Sequence, residues 1–473
     1  MKLTTPYIIG ITGPSGVGKT TLSKLITYLY NIKDTLILSG DDLHKWERND
    51  PNWNVYTHLN PDANDLKKGY SDLLNLKNNK SISRQLYNHD TGKFDQPIFI
   101  DSKPVIIYEG LHSLYGQNVL DILDLKIFVD TDETLTKEWK LKRDTSIRGY
   151  SEQEVNQSIN RRIDDNQKFI IPQKKQADVI FKFYKNKKGK VELSCLNLTK
   201  KSNYIVSKIK KKYNLINNFL DLNTQLSTDF NLTQGAGGNF SIKNDGKIII
   251  KSSGKNSSEI NFSDGFAICK NNKLIPFFNN EKEYDDFIES NNLTTDKKPS
   301  METGFHMYLN KKIVIHTHPV YLNVILCSKQ SKKIIKEIFS FLSYEYIEYI
   351  TPGYKLCNLI NGKNSEIFFL ENHGLIVCGN NLKNTIKLTK KINKIAENWI
   401  NKNIENYVNY KNNFKNKILF PDSTVFNEEL KLINNHILNL IVKCSLSPKF
   451  LEDTEISEIL NLEYEKLRIK NNI

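Results

Sequence analysis

The segment Gly13-Pro-Ser-Gly-Val-Gly-Lys-Thr20 constrains what this chain can fold into more than any other stretch. The apolar run YIIGIT before it reads as a buried strand, and TTLSKLITYLY after it repeats its apolar residues at helical spacing. A strand, a glycine-rich loop of the form G-x-x-x-x-G-K-T and a helix, in that order, turn backbone N–H groups inward around phosphate oxygens at the positive end of the helix. Gly13, Gly16 and Gly18 allow that turn, and Ser15 and Thr21 belong to the same phosphate-binding set. Lys19 is placed to bridge the β and γ phosphates, and the Thr20 hydroxyl to ligate Mg²⁺.

The loop alone does not separate a kinase from a GTPase or an ATPase, but the carboxylates after it narrow the choice. DTLILSG reads as a second strand and delivers Asp41 and Asp42 to its carboxyl end, where open α/β sheets bind their ligands. One of the pair could accept the proton of an attacking hydroxyl while the other acts on the metal shell. KPVIIYEG reads as a third strand and brings Glu109 to the same edge. No base-reading N-K-x-D follows in residues 1–200, which favours ATP-dependent phosphoryl transfer to a small molecule over a GTPase.

Through GPSGVGKTT, SGDDLHKW, YNHDTGKFDQP, VIIYEGLHSLY, KRDTSIRGYSEQEV and NRRIDDNQKFIIPQKKQADVIF, residues 1–205 resemble the uridine kinase and phosphoribulokinase family. The resemblance implies a mostly parallel sheet, ATP and Mg²⁺, Asp41 as base, and Arg143 and Arg148 as lid cations, with Lys140 a further candidate. It puts His89 and Asp90 beside the acceptor. The segment WERNDPNWNVYTHLNPDAND lacks a base-stacking aromatic pattern, so a sugar, polyol or hydroxy acid is expected as acceptor rather than uridine.

A Lys-rich helical stretch from LTKKSNYIVSKIKKKY onward marks the boundary of a second domain, expected at 213–473 and joined by a semi-rigid helix. The net charge of +14 is spread among Lys, Asn and Ile, a compositional drift that argues against a nucleic-acid surface. The six cysteines form no CxxC pair and read as buried thiols of a reducing compartment. No stretch is long and apolar enough for a membrane span and no signal peptide is read, so the expectation is a cytoplasmic protein.

In the second half, IVIHTHP puts His316 and His318 two residues apart on one strand, hence on one face. EIFFLENHGLIVCGN places His373 at a hairpin turn with Glu371 close by, and KPSMETGFHMYL places Glu302 at the start of a helix. Three imidazoles and a carboxylate suit Zn²⁺ or another divalent transition metal, with room for substrate.

QGAGGNFSIK, IIIKSSGK, KPSMETGFHMYLN, IVIHTHP and ENHGLIVCG resemble, in order, the class II aldolase and adducin family, with a core at 213–405 and an extension at 406–473. The resemblance implies an α/β domain with an antiparallel-rich sheet and a metal site of Glu302, His316, His318 and His373, with Glu302 also catalytic. Gly238, Asn239, Ser253, Gly254 and Ser300 are implied to cradle a sugar phosphate; Met301 stands where the family often has a second serine. A homo-oligomer, specifically a tetramer, is implied as well. Aldol cleavage, 4-epimerisation and decarboxylation of a 3-oxo-acid phosphate share one enolate-forming step and remain alternatives, as does an adducin-like interaction module. The expectation is a kinase fused to a Zn²⁺-dependent aldolase, two consecutive steps on one small molecule.

Overall fold

The apolar runs YIIGIT, TLILS and VIIYE become strands in the computed structural model, which describes residues 5–470 apart from 31, 147, 198, 263, 272–274, 295–296, 405–416 and 425–427. The chain divides into two compact units, Met1–Asn214 and Leu215–Ile473, with the division falling inside the helix Asn203–Ser227. The first stretch of the expected extension, through residue 416, lies outside the described residues.

The first unit is built on a six-stranded sheet in the order Val191–Asn197, Val179–Lys185, Leu125–Val129, Tyr7–Thr12, Val105–Glu109, Thr35–Ser39. All neighbours are parallel except the first pair. Central parallel strands are covered on both faces and so need unbroken apolar text; Ile8, Ile9, Ile11, Ile106, Ile107 and Phe128 are all fully buried. Register then fixes the ligand edge. Glu109 lies opposite both Ile11 and Ser39, so the glycine-rich loop, Asp41 and Glu109 all leave the sheet at its carboxyl end.

The second unit has a seven-stranded sheet in the order Phe266–Lys270, Lys247–Lys251, Asn239–Asn244, Ile313–Thr317, Gly374–Gly379, Ile367–Leu370, Glu345–Ile347. Only the last pair is parallel. The sheet is covered on both faces, and its strands show it by alternation. Leu375 and Val377 pack with Ile392 and Ala396 of the helix Leu382–Asn403, whereas Ile376 and Cys378 pack with Phe305, Leu356 and Ile360. The helix Glu428–Lys443 buries Ile433, Ile437 and Ile441 against Val320, Val324 and Ile400, which anchors the extension to the body of the unit.

Five of the six cysteines are buried and Cys195 is half-buried, all with free thiols. Among the described residues no helix is long and apolar enough to cross a membrane.

Candidate active sites

In the first unit the loop after Tyr7–Thr12 closes tightly under the sheet. Gly13 has φ +146°, and a Cβ there would stand 2.3 Å from the Val129 carbonyl oxygen, so the turn admits no side chain. Lys19 donates from Nζ to the carbonyls of Gly13 (2.8 Å) and Pro14 (2.9 Å), spanning the loop it belongs to. Burial lowers its pKa to about 8, against the opposing pull of Asp41 and Glu109. Thr20 Oγ1 donates to Glu109 Oε1 at 3.2 Å, and Ser23, one helical turn on, donates to Glu109 Oε2. Glu109 is thereby joined to the residue expected to ligate Mg²⁺, and burial raises its pKa.

The two adjacent aspartates part company. Asp41 lies 3.3 Å from His89 Nε2 and keeps about a third of its side chain exposed. Burial works to raise its pKa, but the His89 hydrogen bond and the charges of His44, His89 and Lys19 outweigh it and hold the carboxyl well below its usual range. Asp42 faces inward: Oδ1 accepts the Tyr87 N–H at 2.9 Å and Oδ2 lies 3.6 Å from Nε of the buried Arg84. Its geometry is that of a buried ion pair holding the Tyr87 strand.

His89 is brought to Asp41, but Asp90 is exposed in the hairpin turn, its backbone N–H bonded to Asn88 Oδ1 at 3.0 Å. Arg143 donates to Asp144 at 2.8 Å and Arg148 lies 3.6 Å from the same oxygen, so one carboxylate gathers both expected lid cations. Lys140, on the same helix, is buried, and its Cβ would meet one added at Gly16 at 3.0 Å. The aromatic residues of the 46–65 segment are engaged with one another: Trp53 stacks on His58 at 3.8 Å and Trp46 meets Trp53 edge-on at 5.1 Å. His44, His58 and Arg162 beside them were not legible as a group, because only folding brings residue 162 to within 3.3 Å of His58.

The second unit places Glu302, His316, His318 and His373 together, all buried. Metal-ligating atoms of the three histidines lie within 4.8 Å of one another. His316 Nε2 is 3.4 Å from Glu302 Oε2, and His373 Nε2 is 3.5 Å from Glu302 Oε1. The sheet explains the arrangement: His316 sits between Asn239 and Ile376 in register, and Asn239 Nδ2 donates to Glu302 Oε2 at 2.6 Å. Burial raises the Glu302 pKa to about 7 and pushes His373 down to about 3 and His316 well below its usual range.

The hydrogen bonds test whether a metal fits. His316 Nδ1 faces the Leu375 carbonyl at 3.1 Å and His318 Nδ1 faces Asp422 Oδ2 at 2.6 Å, which assigns both protons to Nδ1. Both Nε2 lone pairs then point at each other across 3.0 Å, and Glu302 Oε1 has no hydrogen-bond partner. Bare acceptors converging in a buried space fit a cation, and an N₃O donor set suits Zn²⁺.

The same cavity is lined by Gly238, Asn239, Ser253, Gly254 and Ser300, as well as by Met301. At Gly238, φ is +67° and a Cβ would stand 2.8 Å from the His316 carbonyl oxygen. Lys251, buried in the wall and donating to the Ala236 carbonyl at 2.6 Å, is a cation sequence reasoning passed over; its position at the end of the apolar strand KIIIK, beside SSG, was the available signal. Asp422 was passed over too. Glu371 turns away from the cluster to Lys449 Nζ at 2.7 Å, to the Tyr346 hydroxyl and to the Tyr349 N–H.

Residues 8–189 match the phosphoribulokinase / uridine kinase family, and residues 218–400 match the class II aldolase and adducin N-terminal domain. Phosphoribulokinase of Synechocystis sp. is 35% identical over 173 residues, 37% of this chain and 52% of that one. Uridine kinase of Saccharomyces cerevisiae is 33% identical over 218 residues, 45% of this chain and 42% of that one. The chain thus spans about half the length of the curated relatives it matches. The solved N-terminal class II aldolase domain of a conserved protein from Thermoplasma acidophilum covers 38% of this chain and 91% of its own, at 23% identity and a TM-score of 0.34. The chain therefore joins a segment similar to phosphoribulokinases and uridine kinases to a second segment similar to class II aldolases.

Proposed function

We propose that the chain is a bifunctional enzyme that phosphorylates a small sugar, polyol or sugar acid with ATP and cleaves or forms a carbon–carbon bond in a sugar phosphate. The observation that carries the reading is the coexistence of two chemically complete sites. In the first unit Lys19, Thr20 and Glu109 meet at the glycine-rich loop, with an ionised Asp41 at the same sheet edge. In the second, three imidazoles and Glu302 converge below a cradle of glycine and hydroxyl groups.

In the kinase step, Asp41 accepts the proton of the acceptor hydroxyl as that oxygen attacks the γ-phosphorus of ATP, the bond to the β,γ-bridging oxygen breaks and ADP leaves. His89, 3.3 Å away, orients the carboxylate. Lys19 moves from its loop carbonyls to the phosphates, and Thr20 and Glu109 would hold Mg²⁺, which when bound neutralises phosphate charge. Arg143 and Arg148, gathered by Asp144, stabilise the charge on the transferred group.

In the second unit His316, His318, His373 and Glu302 would hold a divalent metal, Zn²⁺ by donor type, which when bound polarises a carbonyl. Gly238, Asn239, Ser253, Gly254 and Ser300 bind and orient the substrate phosphate. Glu302, beside the three imidazoles, is the carboxylate that moves the proton when it is not serving as a ligand. A homo-oligomer belongs to the same proposal, with light scattering as its check.

The test is mass spectrometry of products from a panel of ketoses, polyols and sugar acids incubated with the protein, ATP, Mg²⁺ and Zn²⁺, beside a His316→Ala/His318→Ala variant. The reading expects one compound to gain a phosphate with both proteins and to be cleaved only by the unaltered one. A phosphorylated product that keeps its carbon skeleton with both proteins would overturn the aldolase half.

A further inference from the structure

The segment matching the class II aldolase family ends at residue 400, yet the cavity does not. Pro421 and Asp422, in the turn Pro421–Thr424, line it beside His318, and so do Ile459 of the helix Asp453–Asn461, Glu465 of the helix Glu463–Lys470 and Leu462 between them. Asp422 is nine-tenths buried, and its Oδ2 lies 2.6 Å from His318 Nδ1. The approach leaves no slack: a Cβ added at Gly237 would fall 2.4 Å from that Oδ2 and 3.0 Å from that Nδ1.

An imidazole has two nitrogens, and a proton fixed on one leaves the lone pair on the other. A carboxylate accepting from Nδ1–H turns the ring so that Nε2 faces inward and makes that nitrogen a stronger donor; partners of this kind are worth about 10–100-fold in metal affinity. His316 is oriented by a backbone carbonyl of its own sheet, which is neutral. Of His316 and His318, the latter is the one with a charged group at Nδ1, and that group comes from outside the family-matched segment.

The geometry points to Asp422 as a positioning residue for the metal site: the C-terminal extension supplies the carboxylate that sets the tautomer and tilt of His318. The extension is thus part of the site rather than an appendage to it. The inference rests on the metal-site half of the proposed function, and its test separates the two.

The full chain, stripped of metal by chelation, is titrated with Co²⁺ and with Zn²⁺ against a chromogenic chelator. The proteins compared are the unaltered chain, Asp422→Asn, Asp422→Leu, Asp422→Glu and His316→Ala, with far-ultraviolet circular dichroism and metal-free melting as folding controls. Asp422→Asn is expected to bind about 10–100-fold more weakly, Asp422→Leu more weakly still, and Asp422→Glu to recover part of the loss. The Co²⁺ visible spectrum of Asp422→Asn is expected to shift while metal-free melting does not. Affinities and spectra of Asp422→Asn and Asp422→Leu equal to those of the unaltered chain, while His316→Ala loses the metal, would overturn the role of Asp422 and leave the metal site standing. An unaltered chain that binds neither ion would overturn the metal site itself, and the inference with it.

Discussion

The Nε2 atoms of His316 and His318 face one another at 3.0 Å, each ring having its Nδ1 proton committed elsewhere. Two lone pairs at that separation repel unless a cation stands near both. A metal that binds the folded chain but not the unfolded one adds about 2.7 kcal/mol at a hundredfold excess over its Kd. Zn²⁺ added to chelator-treated protein is therefore expected to raise the unfolding temperature, and His316→Ala/His318→Ala to show no such rise by scanning calorimetry.

Lys19 provides a pH-dependent prediction. Burial lowers its pKa to about 8 in the fold, so between about pH 8 and 10.5 the folded chain holds fewer protons than the unfolded one. The cost of the buried charge is present in full below pH 8 and is relieved as pH rises through that window. Bound phosphates favour the charged form, so nucleotide binding near pH 9 is expected to take up a proton. Calorimetry in two buffers of different ionisation enthalpy should detect that uptake in the unaltered chain and a smaller one in Lys19→Met, whose phosphoryl transfer should fall by about 10²–10³-fold.

Arg84 is fully buried between Asp42 and Asp72, at 3.6 Å and 3.9 Å, and donates to the Ser39 carbonyl at 2.6 Å. Removing one partner of a buried pair leaves the other's charge uncompensated. Arg84→Met is expected to destabilise the first unit by about 3–5 kcal/mol. Urea unfolding followed by tryptophan fluorescence checks it.

Gly238 stands at φ +67°, where an L side chain costs about 1–2 kcal/mol from the backbone alone. The added methyl would also push on the carbonyl of His316. Gly238→Ala is expected to lower the melting temperature and weaken metal binding together, measured by circular dichroism and chelator competition.

How much of this was legible in the sequence depended on distance along the chain. The glycine-rich loop declares itself because Gly13 to Thr20 are contiguous, and His316 and His318 because they stand two apart, although the strand Ile313–Thr317 ends one residue before His318. The split roles of Asp41 and Asp42 were not legible, since adjacent residues look alike until Arg84 takes one of them. Glu371 sat next to a metal-type motif and still turned away, because Lys449 and Tyr346 lie far off in sequence. Asp422 carried no local signal at all.

The bond between His318 and Asp422 joins residues 104 apart. A ribosome makes the chain from its amino end, so a nascent protein can have extruded the entire stretch from 218 to 400 and still lack this carboxylate. The proposed metal centre would therefore be complete only once residue 422 has been made, after the whole family-matched segment. Chains that stop short of that residue would accordingly carry an imidazole cluster not yet fully oriented.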